Sequence, residues 1–259
     1  MTNRQAIAMC LGLLGTALAL PGTEGPETRG PKQSLETSST KTMPFEPGGT
    51  IRINRSYGYL AVEGWDRPEV GINVIKSMDR LYAPDQQEDA AQRFEQVRLD
   101  FQRRSDNELE ISTALPVRNS LFSSVLPSGE IVASSPLPPR NKRGITVEQR
   151  IYVPRDSRLI VLQDNGYVWV SDVTGDIEVK SHTGDMVVVL PDTSPYSIDA
   201  RTGLGSVSSD FTGRTLSRFL LGTRFTYTDQ APARRIYLRM GRGSITVKKG
   251  PPSGPFWNN

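Results

Sequence analysis

Four aspartates and one histidine are the residues here whose types could do chemistry. Asp164, Asp172, Asp176 and Asp185 cluster in one stretch, and His182 lies among them. Two carboxylates flanking a glycosidic bond can cleave it, one as acid and the other as base or nucleophile. These four sit near glycines, where aspartate is favoured for turn hydrogen bonding. Oxygen ligands on such bends could also converge on calcium. The Gly-Gly-x-Gly-x-Asp spacing of calcium-binding repeats is missing, however. His182 is the sole histidine, and nothing in the sequence marks a nucleophile for it, so it reads as a turn or surface residue. Cys10 is the sole cysteine, which leaves zinc too few ligands. Gly203-Leu-Gly205 lacks the lysine of a phosphate loop and reads as a tight bend. No catalytic residue, metal ligand or cofactor is assigned, and the chain is expected not to be an enzyme.

Contact chemistry is better represented. Tyr167 and Trp169 alternate with Val168 and Val170. If the valines face a core, the two aromatics face outward. Tyr57 and Tyr59 take the same phase beside Leu60 and Val62. Exposed aromatics can stack on sugar rings or mark a protein interface. The competing arrangement has a neighbouring segment cover them. Tyr57, Tyr59, Tyr167 and Trp169 are the candidate binding residues.

These aromatics belong to an internal repeat. Gly166, Gly175 and Gly184 are nine residues apart, and each opens a Gly-x-(apolar)-x-Val pattern. The copies are Gly166-Tyr-Val-Trp-Val, Gly175-Asp-Ile-Glu-Val and Gly184-Asp-Met-Val-Val. Gly58-Tyr-Leu-Ala-Val and Gly243-Ser-Ile-Thr-Val repeat it at a distance, and Gly205-Ser-Val-Ser-Ser is a partial copy. Alternating apolar residues put one strand face on a core, and glycine allows the chain to bend between strands. The expected fold is all-β, a β-solenoid or roll-like domain of short Gly-punctuated strands, with a sandwich of ordinary consecutive strands as the alternative.

Further strands are expected at Thr50–Asn54, Val70–Lys76, Ile145–Val153, Leu159–Leu162, Ile236–Met240 and Ser244–Lys248. Val97–Arg103 and Glu108–Thr113 read as a hairpin turning at Ser-Asp-Asn. One short helix is expected from Asp85 to Gln96, a run of helix formers without Gly or Pro. Residues 116–144 carry Pro127, Pro136, Pro138 and Pro139 before a basic run, and read as a mobile insertion.

Composition bounds the setting. The 259 residues carry a net charge of only +3, with basic residues scattered in short pairs, so no nucleic-acid partner is expected. Arg4, the apolar run Ala6–Ala19 and the small residues of Ala17-Leu-Ala read as a signal peptide over residues 1–19. That run is short for a membrane span, although an uncleaved anchor is the alternative. Residues 20–44 are rich in Pro, Gly, Ser and Thr and read as a disordered linker. The repeat domain is expected over 45–249, with a flexible tail over 250–259.

The run Phe45-Glu-Pro-Gly-Gly-Thr-Ile-Arg-Ile-Asn, the Gly64-Trp-Asp stretch, Val153-Pro and the Gly-punctuated rungs resemble a bacterial family of unknown function labelled "putative adhesin". The long Pro-rich insertion and the segment from Thr215 to Arg235 depart from its pattern. The resemblance implies an exported β-solenoid-like domain and supplies no substrate, cofactor or catalytic residue. The expected function is a non-enzymatic binding or structural module of the cell envelope, in the periplasm or at the cell surface. Its partner would be an envelope protein or glycan. The alternatives are an envelope-tethered sensing protein and a polysaccharide-active enzyme.

Overall fold

Apolar side chains at alternate positions bury one face of a strand, and the ladder of backbone hydrogen bonds then decides which strands lie side by side. In the computed structural model, which describes residues 36–78, 97–114, 145–191, 195–218 and 222–250, this produces thirteen strands and, among those residues, no helix. They are β1 (Glu36–Pro44), β2 (Thr50–Trp65), β3 (Glu69–Met78), β4 (Arg98–Ser105), β5 (Glu108–Ala114), β6 (Ile145–Pro154), β7 (Arg158–Ser171), β8 (Ile177–Leu190), β9 (Tyr196–Leu204), β10 (Val207–Ser209), β11 (Arg214–Arg218), β12 (Gly222–Thr228) and β13 (Arg234–Lys249). The expected helix at Asp85–Gln96, the insertion at 116–144 and the N-terminal residues 1–35 fall outside the described residues.

All thirteen strands join one sheet, whose main path runs β1-β3-β6-β2-β7-β8-β13-β9-β12-β11. The path is open, ending at β1 and β11. Its centre is parallel and in register: Gly58 pairs with Gly166, Gly166 with Gly184, and Gly184 with Gly243. One step across the sheet therefore takes up two of the nine-residue units, and Gly175 lies in the return between β7 and β8. A solenoid stacks its coils in chain order, whereas here the last strand, β13, lies between β8 and β9. The segment from Thr215 to Arg235, which departs from the family pattern, supplies most of the antiparallel pair β11–β12 that extends the sheet beyond β9.

The long strands change the phase of their alternation at the glycine column. Leu159 and Val161 precede Gly166 in β7, Val168 and Val170 follow it, and all four line the same core. At the change of phase Ser56 and Gln163 are buried together, the serine hydroxyl donating to the glutamine Oε1. Gln163 Nε2 donates in turn to the carbonyls of Gly58 (3.1 Å) and Asn165 (3.3 Å). The bend's backbone oxygens are thus satisfied inside the protein, as burial of polar groups requires. Gly166 and Gly184 hold φ of 127° and 131°, a region costly to any residue with a Cβ.

One boundary corrects the sequence reading. Residues 36–44, placed in the linker, form β1 and pair antiparallel with β3 along its length. Nearly every β1 residue is exposed, so the backbone ladder rather than burial holds the strand. Thr37, Thr40 and Thr42 have the β-branched side chains that favour this geometry. Lys41 adds a contact over the Phe101 ring at 4.2 Å.

Candidate functional site

Outward positions of neighbouring strands line up in straight rows, one side chain per strand, about 4.8 Å apart. On the outer face of the sheet's first half-strands, register places Lys180 beside Arg239, Arg239 beside Arg201, and Arg201 beside Arg224. Four cations thus stand on four adjacent strands, β8, β13, β9 and β12. The next row holds Glu178, Tyr237, Asp199 and Thr226. Arg158 and Arg235 extend the same face toward the strand starts.

Charge balance within this face is uneven. Asp199 lies between two arginines, receiving Arg239 Nη2 at 2.8 Å and Arg224 Nη2 at 3.1 Å. Burial pushes its pKa up, but the hydrogen bonds from Arg239 and Arg224 outweigh that and hold it below the usual value. Lys180 pairs with Glu178 at 2.6 Å. Arg201 is exposed and has no ion pair among the described residues. Tyr237 is covered by the Arg239 guanidinium, 3.7 Å from the ring centre, with Arg235 at 5.4 Å. A shallow groove of about 290 Å³ follows β8, lined by Arg158, Asp176, Glu178, Lys180, Arg235 and Tyr237. Among the described residues, Arg158, Lys180, Arg201, Arg224, Arg235 and Arg239 thus share this face with the carboxylates of Asp176, Glu178 and Asp199.

The sequence-derived aromatics lie on β2 and β7, outside the strands that carry the cationic row, and the structure separates them. Tyr59 and Tyr167 are register partners with ring centres 6.3 Å apart. Tyr59 is 43% exposed. Trp169 has the outward phase expected of it but is only 1% exposed, packed with Ala61, Val187, Val189 and Tyr167 in a second cluster. It is therefore not a surface platform. Tyr57 is half-buried and pairs with Asn165 beside the bulge in β2.

Three of the four aspartates hold neighbouring segments together, and Asp164 is half-buried on β7. Asp176 Oδ1 accepts from the backbone N–H of Arg235 at 2.9 Å. Asp185 Oδ1 accepts from the N–H of Ser244 at 3.1 Å and from its hydroxyl at 2.6 Å. Both carboxylates tie β13 to β8. Asp172, at a positive φ of 58°, accepts from Arg155 Nη1 at 3.3 Å. It also raises the pKa of Glu63, a shift caused chiefly by burial of that carboxyl. His182 is exposed on β8, near the bend at Gly184.

The cationic face was not legible as such, since its residues come from strands far apart in sequence. Their only sequence signal is phase: each alternates with core residues on its own strand.

No family model matches this sequence, and no curated protein matches it. Among solved structures, the chain is similar to a "putative cell adhesion protein" from Clostridium sporogenes, at 12% identity and a TM-score of 0.47 over 83% of this chain and 100% of that one. It is similar also to a "putative adhesin" from Bacteroides fragilis, at 9% identity and a TM-score of 0.25 over 83% of this chain and 97% of that one. Likenesses this distant do not bear on the ligand. No helix of the described residues is long and apolar enough to cross a membrane.

Proposed function

We propose that the protein is an exported, non-catalytic binding module of the cell envelope, adhesin-like in that it works by surface contact along a rigid β-face. The observation that carries this is the cross-strand row Lys180–Arg239–Arg201–Arg224. Backbone ladders on both sides fix the spacing of these side chains, and Asp199 fixes the orientation of two of them. Groups held in place before binding lose little entropy on binding, which favours affinity. The engagement of Asp176 and Asp185 as ties between β8 and β13 supports contact over chemistry.

The test uses the purified protein on an array of envelope glycans and against envelope extract, beside an Arg201→Glu variant. Retention of a glycan by the parent, with no new reducing ends released, is the expected outcome. Release of reducing ends that stops in Asp176→Asn or Asp185→Asn, with folding intact, would overturn it in favour of a polysaccharide-active enzyme.

A further inference from the structure

We infer that the ligand of this face is a linear acidic polysaccharide, a polymer of uronic acids, lying across β8, β13, β9 and β12 with its carboxylates on the row Lys180–Arg239–Arg201–Arg224. This rests on the binding-module reading and names the ligand class for the same surface.

Geometry sets the direction. Cations on successive strands recur every 4.7–4.9 Å across the sheet. A chain of pyranose acids advances by close to that repeat per sugar while turning successive carboxylates to different sides. A polymer running across the strands therefore sets its carboxylates on alternate cations of the row, and the sugars between rest over the others. Leu162 pairs with Lys180 and Leu216 with Arg224, so an exposed leucine flanks the row at each end. Each can rest against the C–H face of a sugar.

The hydrogen bonds on the face show which donors are committed. Arg224 uses Nε and Nη2 on Asp199. A guanidinium has five N–H donors, so part of its fork remains for a carboxylate. Arg239 is committed more fully, to both Asp199 oxygens, to the Asp199 carbonyl and to that of Leu238. Arg201, between these two strands and unpaired among the described residues, is the principal anchor. Arg239 supplies positive field and a fixed wall.

Other anions fit less well. Single-stranded nucleic acid is held by bases stacked on open aromatic faces. Tyr237 is the aromatic residue in these rows, and Arg239 covers its ring. An extended peptide would add to a sheet edge through its backbone, and every strand of this row is paired on both sides within the sheet. Insertion into a lipid surface needs apolar side chains projecting past the cations, while Leu162 and Leu216 lie level with them in the row.

The experiment titrates the full chain with polygalacturonate, with its methyl-esterified form, with single-stranded DNA and with vesicles containing anionic phospholipid. The parent is expected to bind polygalacturonate, to lose affinity as salt rises, and to ignore the methyl ester. Arg201→Glu is expected to weaken binding about tenfold, and Arg201→Lys to restore part of it. Circular dichroism checks folding, which an exposed residue should leave unchanged. Equal binding of the methyl ester, or an Arg201→Glu variant as tight as the parent, would overturn the acidic class. So would preference for DNA or vesicles, or no binding of any probe. Envelope glycans retained on the array by both parent and Arg201→Glu would preserve the binding module while removing its acidic ligand.

Discussion

Gly184 lies directly beside Gly166, whose carbonyl oxygen fills the place a Cβ on Gly184 would need, well inside the 3.0 Å that real Cβ atoms keep. The same relation links Gly166 to Gly58 and Gly243 to Gly184, so the column is a seam of backbone against backbone. Gly184→Ala would add this collision to the cost of a positive φ. It should lower stability by about 3 kcal/mol or more. Gly48 also has a positive φ, 79°, but a Cβ there meets only Asp156 Oδ2, at 3.9 Å. Gly48→Ala should cost only about 1–2 kcal/mol. Thermal melting of the two variants separates collision from backbone strain, and equal losses would show that the seam is not tightly packed.

Buried valines on either side of the seam should tolerate no charge. Val170 and Val179 are both 0% exposed in the main core. Val170→Asp or Val179→Asp leaves an unpaired carboxylate there and should cost about 4 kcal/mol or more. Loss of the cooperative melt is the expected result. An unchanged melt would contradict the inward phase of these residues.

Asp199 should matter through pH. Its folded pKa is depressed, so its stabilising contribution is present above the ordinary value of 3.8 and is lost as pH falls through the folded value. The pairs are partly exposed, so Asp199→Asn should cost less than about 1 kcal/mol at neutral pH. Urea unfolding of parent and variant should converge as pH is lowered below that ordinary value. A difference that persists in acid would mean a packing role.

Glu63 carries the opposite sign. Its folded pKa is raised by burial and then by Asp172, so its contribution is fully present below the ordinary value of 4.5 and is lost as pH rises through the folded value. Glu63→Gln removes the buried charge and should raise stability at neutral pH by about 0.5 kcal/mol. The advantage should vanish below that ordinary value. Arg155 and Arg150 also act on this carboxyl, lowering its pKa. A neutral-pH loss of stability in the variant would mean that they outweigh burial.

Much of the fold was legible because alternation and glycine both have local causes. The phases of Leu60, Val62, Val168 and Val170 follow from the strand period, and the hairpin of β4 and β5 follows from its turn residues. Register was not legible. Gly175 has the same sequence signature as Gly166 and Gly184 yet lies in a return, and nothing local says that Gly243 belongs beside Gly184. β1 was missed because an edge strand of Thr and Ser needs no buried side chains. At the candidate site, outward phase was read correctly for Trp169, but phase does not determine exposure. Along the sequence the cations form a scattered, solvated set, since Lys180, Arg201, Arg224 and Arg239 become neighbours only through pairing of distant strands.

The most direct test of the cationic face compares three proteins in one titration against polygalacturonate: the parent, Arg201→Glu, and the double variant Tyr59→Ala, Tyr167→Ala on β2 and β7, outside the row. The tyrosine variant is expected to bind like the parent, and Arg201→Glu to be weakened about tenfold. Full binding by Arg201→Glu with loss in the tyrosine variant would contradict this and move the working surface to the tyrosine pair on β2 and β7.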